Sequence, residues 1–224
     1  MSMWKYIINL SLIFLLVPDS FSQEQDSLIR RPLVNGVRVG YDLSALVDSY
    51  FPSSPKVSTS RYEITCDVGI RKFFLVVDYG NVRRERSDDS SFTYKNTGSY
   101  YRLGFDYNIM KNKDAKNLIF VGARYCKSNF DEEGSYLVGN SFWGDANGTF
   151  SRNGSGATWC EMTAGLKAYI FKNFYLGYTL RYKILFKVKQ DQVFEAFDIP
   201  GYGIAEKNGI FGVNYYIFYR IPIK

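Results

Sequence analysis

"SYYRLGFDYNIM", residues 99–110, sets Tyr101, Leu103, Phe105, Tyr107 and Ile109 in strict alternation with Tyr100, Arg102, Gly104, Asp106 and Asn108. A period of two over a whole segment predicts a β-strand with one apolar, aromatic-rich face and one face of glycine and charge. The fold turns on which environment accepts each face.

The same period recurs along the chain and predicts eight strands, at about 34–48, 59–70, 72–80, 99–110, 117–128, 157–170, 174–187 and 208–221. The third is the least regular, because Phe74 and Val76 fall in the polar phase. Connections after strands two, four and six are short (near Arg71, 111–116 and 171–173). Those after strands one, three, five and seven are longer and polar, the longest being 129–156. An even strand count with short turns at one end and long loops at the other is the layout of a transmembrane barrel. The prediction is an all-β fold: an eight-stranded antiparallel up-and-down transmembrane β-barrel, with short periplasmic turns and longer extracellular loops. No helical periodicity, internal repeat or interdomain linker follows the N-terminal segment.

Glycine stands in the polar phase of every strand: Gly40, Gly69, Gly80, Gly104, Gly122, Gly165, Gly177 and Gly212. Glycine weakens a strand, so its recurrence on one face points to crowding there. An eight-stranded barrel has an interior just wide enough for side chains. The same phase carries Arg38, Asp42, Glu63, Asp67, Arg102, Asp106, Arg124, Glu161, Lys167, Arg181 and Arg220, which are expected to pair as a structural network filling the lumen. A soluble barrel of lipocalin type, a ligand-binding alternative, would reverse the faces. It would crowd the Tyr and Phe side chains inward and leave the glycine face to water.

The front of the chain reads as a secretory signal over residues 1–22: Lys5, an apolar run from Tyr6 to Val17, then small Ser20 and Ser22 before Gln23. The run is short for a spanning anchor, and no Cys at the cleavage point suggests a lipoprotein. Residues 23–33 read as a periplasmic lead-in, and 34–224 as the outer-membrane barrel. "DSL" (26–28) matches a short O-glycosylation pattern. Cys66, Cys126 and Cys160 are odd in number and lack CxxC spacing, so neither a disulfide framework nor a zinc site is indicated. The alternation turns Cys126 inward and Cys160 outward, which favours free thiols. Net charge is +6 with dispersed bases, giving no nucleic-acid stripe.

With no histidine in the chain, Ser-His and Cys-His nucleophile pairs are excluded. Carboxylates remain as candidates for a lipid-modifying enzyme, with Asp67, Asp106 and Glu161 the ones to consider. Partnership with Arg102, Arg124 and Arg181 is the simpler reading of all three. No glycine-rich phosphate loop occurs, "GYG" (201–203) being a loop tripeptide. Among the connections, "RRER" places Arg83, Arg84 and Arg86 near the outer mouth, where they would meet lipopolysaccharide phosphates if they are more than a solvated loop. The acidic runs at Asp88–Asp89 and Asp131–Glu133 lack calcium-loop spacing, so no metal and no cofactor is expected. Phe142 and Trp143 sit in the longest loop, and Asn147 and Asn153 begin N-glycosylation-like triplets.

"WCEMTAGLKAYIFKNFYLGYTLRYK" (159–183), "GSYYRLGFDYNIM" (98–110) and the closing "YYIFYRIPIK" carry a further signal. In these stretches the chain resembles the small outer-membrane barrels of the Bacteroidota, and one of their families of unknown function. The chain departs from such barrels in closing on Ile221, Pro222, Ile223 and Lys224 rather than on an aromatic residue, with Tyr219 the available substitute. The resemblance implies a bacterial outer-membrane location, lipid and lipopolysaccharide as neighbours, and an envelope protein as a partner. The expected function is a non-enzymatic barrel with a filled lumen, acting as a structural component or a membrane anchor.

Overall fold

A computed structural model of the chain describes residues 34–46, 57–88, 92–110, 117–138, 146–189 and 196–222. The expected signal segment, lead-in and "DSL", together with Asp89 and Phe142–Trp143, lie outside the described residues. Eight long strands form the wall: β1 (Val34–Asp42), β2 (Val57–Ile70), β3 (Phe73–Asp88), β4 (Phe92–Asn108), β5 (Leu118–Val138), β6 (Ala146–Phe171), β7 (Phe174–Lys189) and β10 (Gly209–Ile221). Each pairs antiparallel with its neighbours, and β10 pairs back onto β1, so the sheet closes. Two short strands, β8 (Asp198–Ile199) and β9 (Gly203–Ile204), form a separate hairpin in the last long connection.

The faces sort as the alternation predicts. Outward, Leu103 and Phe105 are 50% and 53% exposed, and the neighbouring strands present Leu75, Val77, Val121, Leu166, Leu176 and Ile217 in the same band. Soluble proteins rarely show an unbroken apolar surface of this extent. Aromatic residues bound the band at both edges. Tyr41, Tyr62, Tyr79, Tyr101 and Tyr125 mark one edge. Phe73 against Tyr107, Phe171 against Phe174, and Phe174 against Tyr219 mark the short-turn edge. Paired girdles around an apolar wall define a transmembrane barrel. The inner face is crowded, as its glycines imply. The Phe218 ring lies against both Gly40 and Gly177, leaving no room for a Cβ at either. Phe74 and Val76 also point inward, which explains the irregular third segment.

Several expected boundaries move. β1 stops at Asp42 and gives way to a helical turn at 44–46, where Asp42 accepts hydrogen bonds from the Ser44 amide and hydroxyl. β3 and β4 run well past the girdle. Most of the supposed 129–156 loop is ladder, since β5 and β6 stay paired as far as Val138 with Ala146. Polar residues hid this extension, because above the membrane the outer face meets water, and the inner face buries polar Asn96 and Glu132 beside Tyr94 and Phe130, so no apolar alternation marks it. β2–β6 therefore rise as a five-stranded blade above the rest of the wall. Asn147 and Asn153 are exposed on this blade.

Candidate functional site

The candidate site is the barrel interior, built in tiers from inward-facing positions of the wall strands. Nearest the short turns, Asp67 on β2 accepts from Arg38 of β1 at 2.8 Å and from Lys167 of β6 at 2.7 Å. Asp106 on β4 pairs with Arg124 of β5 at 2.6 Å and lies 3.8 Å from Lys167. Aromatic rings pack around the Lys167 ammonium, Phe218 at 4.7 Å and Phe120 at 5.1 Å.

The middle tier is built on two arginines. Arg102 of β4 reaches Glu161 at 3.0 Å and Glu63 at 2.7 Å. Arg181 of β7 donates to the other Glu161 oxygen at 2.7 Å, to Asn214 at 2.9 Å and to the Tyr216 hydroxyl at 2.7 Å, with Asp78 at 3.4 Å. Trp159 donates its indole N–H to Glu161 at 2.8 Å, and Tyr100 and Tyr216 donate their hydroxyls to Glu63. Asn214 ties this tier to Asp42 at 2.8 Å. With half-buried Lys183 included, six cations (Arg38, Arg102, Arg124, Lys167, Arg181, Lys183) face six acids (Asp42, Glu63, Asp67, Asp78, Asp106, Glu161). The enclosed charge balances, as burial at low dielectric requires.

The last connection supplies a part of the site that the strand pattern does not indicate. Residues 196–208 turn down into the mouth and plug it. Ala196, Ile199 and Tyr202 are buried against Val82, Tyr100, Phe130 and Trp159. The tip is Gly201, whose φ of +81° suits glycine and whose Cα lies so near the Tyr100 ring that a Cβ would stand 2.5 Å from it. Its carbonyl accepts from Lys183 at 2.7 Å and Arg102 at 3.3 Å, so the plug is joined to the middle tier. Higher up, Asp198 pairs with Arg84 at 2.5 Å, and its carbonyl accepts from Asn96 at 2.7 Å. "GYG" is thus the plug tip rather than a free loop.

Ten of the eleven expected lumen residues are buried inside: Arg38, Asp42, Glu63, Asp67, Arg102, Asp106, Arg124, Glu161, Lys167 and Arg181. Arg220 is the correction. It is exposed at the short-turn end of β10, its guanidinium beside Gly36, because the strand has passed the enclosed section there. "RRER" is also corrected, being strand rather than loop. Alternation sends Arg83 outward, where it pairs with Glu85 at 2.6 Å, and turns Arg84 inward to Asp198. The acidic run at 131–133 is likewise strand, and its side chains part company. Glu132 turns inward to Arg152 at 2.8 Å, Glu133 faces Lys95, and Asp131 accepts from the Gly154 amide. Cys126 is buried inside and Cys160 faces outward, one pair apart in register, and both are free.

Asp67, Asp106 and Glu161, the carboxylates open to a catalytic reading, each lie within 4 Å of two cations. Among the described residues no group of His, Cys, Asp and Glu is arranged to hold a metal ion.

The family described as "Domain of unknown function (DUF6048)" matches residues 3–224. No curated protein matches the sequence. Among solved structures, the chain is similar to Neisserial surface protein A, at 14% identity and a TM-score of 0.39, covering 83% of this chain and 96% of that one. It is similar to the same degree to the N-terminal β-barrel domain of Pseudomonas aeruginosa OprF, at 14% identity and a TM-score of 0.39, covering 84% and 99%.

Proposed function

The chain belongs to the DUF6048 family of unknown function, and from that premise we propose that it is a non-enzymatic integral protein of the bacterial outer membrane. In this reading it serves as a structural component or membrane anchor for an envelope assembly, with no cofactor. The observation that carries the proposal is the occupied interior: charge-balanced tiers of ion pairs fill the lumen, and the 196–208 plug caps them. A barrel filled in this way has its working surfaces on the outside. The closed sheet supports the outer-membrane placement, since lipid-spanning chains other than helices must close on themselves. The N-terminal signal-like run and the resemblance to Bacteroidota barrels favour the same placement.

Two partners follow. Lipopolysaccharide would lie against the outward side of the wall, where Arg83 is the one arginine of "RRER" that faces it. An envelope protein would dock on the polar outer face of the blade, which presents Lys95, Glu133 and Glu85. The test is recovery of the tagged protein from native membranes in mild detergent, in parallel with a Lys95→Glu, Glu133→Lys double variant. A protein that co-purifies in stoichiometric amount with the first and is lost with the second is the expected result. A barrel that emerges alone from both would remove the anchor role.

A further inference from the structure

Above the plug, the inner face of the blade forms an open-mouthed pocket of about 310 Å³ that the lumen network does not use. Five of its lining residues are aromatic: Phe92, Tyr94, Tyr136, Phe150 and Phe197, the last contributed by the plug segment. Cross-strand glycines set two of these rings in place. Phe150 lies over Gly134, its pairing partner, and Tyr136 lies over Gly148, so neither ring has a side chain beside it to hold it off the sheet. Tyr94 is fixed by its hydroxyl bond to Glu132 at 2.5 Å and by an edge contact with Phe197. Three of the five rings are thus placed before any ligand arrives, and the volume is at the lower end of that of small-molecule sites.

The two remaining charges in the lining differ in one respect. Arg152 is neutralised by Glu132, which is fully buried beneath it. Arg86 is exposed at the rim and makes no hydrogen bond or ion pair among the described residues. An apolar aromatic chamber with a guanidinium at its mouth that no described residue pairs suits a particular chemistry: a flat or short apolar body bearing a single anionic group. Height excludes bilayer acyl chains as the source. Arg86 is seven positions beyond Tyr79 of the girdle on β3, and Tyr94 is seven before Tyr101 on β4. At about 3.3 Å per residue that is roughly 20 Å along the strand. The polar outer faces of β3–β6 at this level are those of a segment in water.

We propose that this cavity is a binding site for a water-soluble amphipathic monoanion, an aromatic or short-chain carboxylate, whose body lies among the five rings and whose carboxylate meets Arg86. The proposal is independent of whether the barrel anchors a partner. It is tested by calorimetric titration of the full chain in lipid nanodiscs with naphthalene-2-carboxylate and with the neutral naphthalene-2-carboxamide, subtracting empty nanodiscs. The carboxylate is expected to saturate at one site. The amide should bind at least about tenfold more weakly, the size of one charge-assisted hydrogen bond. Arg86→Gln, at an exposed position that leaves the barrel intact, should weaken the carboxylate by the same factor and leave the amide unchanged. Phe150→Ala should weaken both. Absence of saturable binding up to millimolar carboxylate, or carboxylate binding indifferent to Arg86→Gln, overturns the proposal. Nanodiscs prepared with lipopolysaccharide separate the sources: unchanged carboxylate affinity fits a soluble ligand, and displacement by the glycolipid refutes it.

Discussion

Tyr100 donates its hydroxyl to Glu63 at 2.5 Å, stacks on the Arg102 guanidinium at 4.5 Å and receives Gly201 of the plug against its ring. Lumen and plug therefore meet at this side chain, as they do at Arg102 and Lys183, and what happens to the plug is decided by the charges around it. Asp198 is the most exposed to test. Burial raises its carboxyl above the ordinary range, and Arg84 and Lys183, which pull it down, do not cancel the rise. A folded value above the unfolded one means that Asp198 favours the docked plug most fully at acid pH, below the ordinary carboxyl value, and that this contribution is lost as pH rises through the raised value. Arg84→Gln removes the first of the opposing cations. Docking should then weaken by roughly 1–3 kcal/mol near neutrality, the partner being only partly buried, and recover near pH 4. Hydrogen exchange over 196–208 at the two pH values reads this directly. Equal opening at both would mean that Asp198 does not govern the plug.

Each wall strand obeys one rule below the upper girdle and another above it, and that division decides what the sequence reveals. Within the membrane, lipid demands apolar residues outward and the narrow lumen demands glycine and charge inward. A period of two is therefore enforced, and residues such as Leu103 and Asp106 declare their faces. Above the girdle, "RRERSD" and "SNFDEEGSYLV" alternate without an apolar partner phase, so the blade reads as loop although its ladder is continuous. The plug is hidden for a different reason. Its residues are placed by contacts with four distant strands, and only Gly201 and Gly203, both at positive φ, mark it locally. Most of the lumen site was legible as a phase, whereas its hydroxyl and indole donors, Tyr100, Tyr216 and Trp159, needed the register to be seen as partners of Glu63 and Glu161. The membrane rule has a measurable edge. Leu103→Arg, at mid-band, should cost about 2–4 kcal/mol in urea unfolding from lipid, while Ser99→Arg, beyond Tyr101, should cost nearly nothing. Similar losses at both would displace the assigned boundary.

For the molecule as a whole, the tiers and the plug are redundant barriers to passage. Replacing 196–208 by a Gly-Ser linker of equal length removes the upper barrier and leaves Arg102, Glu161 and Arg181 spanning the lumen beneath. In planar bilayers, both the wild-type chain and this variant are expected to show no discrete conductance. Steps in the variant alone would make the plug the true seal, and steps in both would show that water threads the tiers. The long-range ion pairs have a last consequence, for the order in which the barrel is made. Lys167 meets Asp67 across 100 residues of chain, and Arg181 meets Asp78 across 103. A chain emerging from its N-terminus presents the acids of β2 and β3 long before the bases of β6 and β7 exist to receive them. Stranding those acids in hydrocarbon is prohibitive, so early strands cannot enter lipid one at a time. The sheet must gather with water inside it, and the interior dries only when the closing strand arrives.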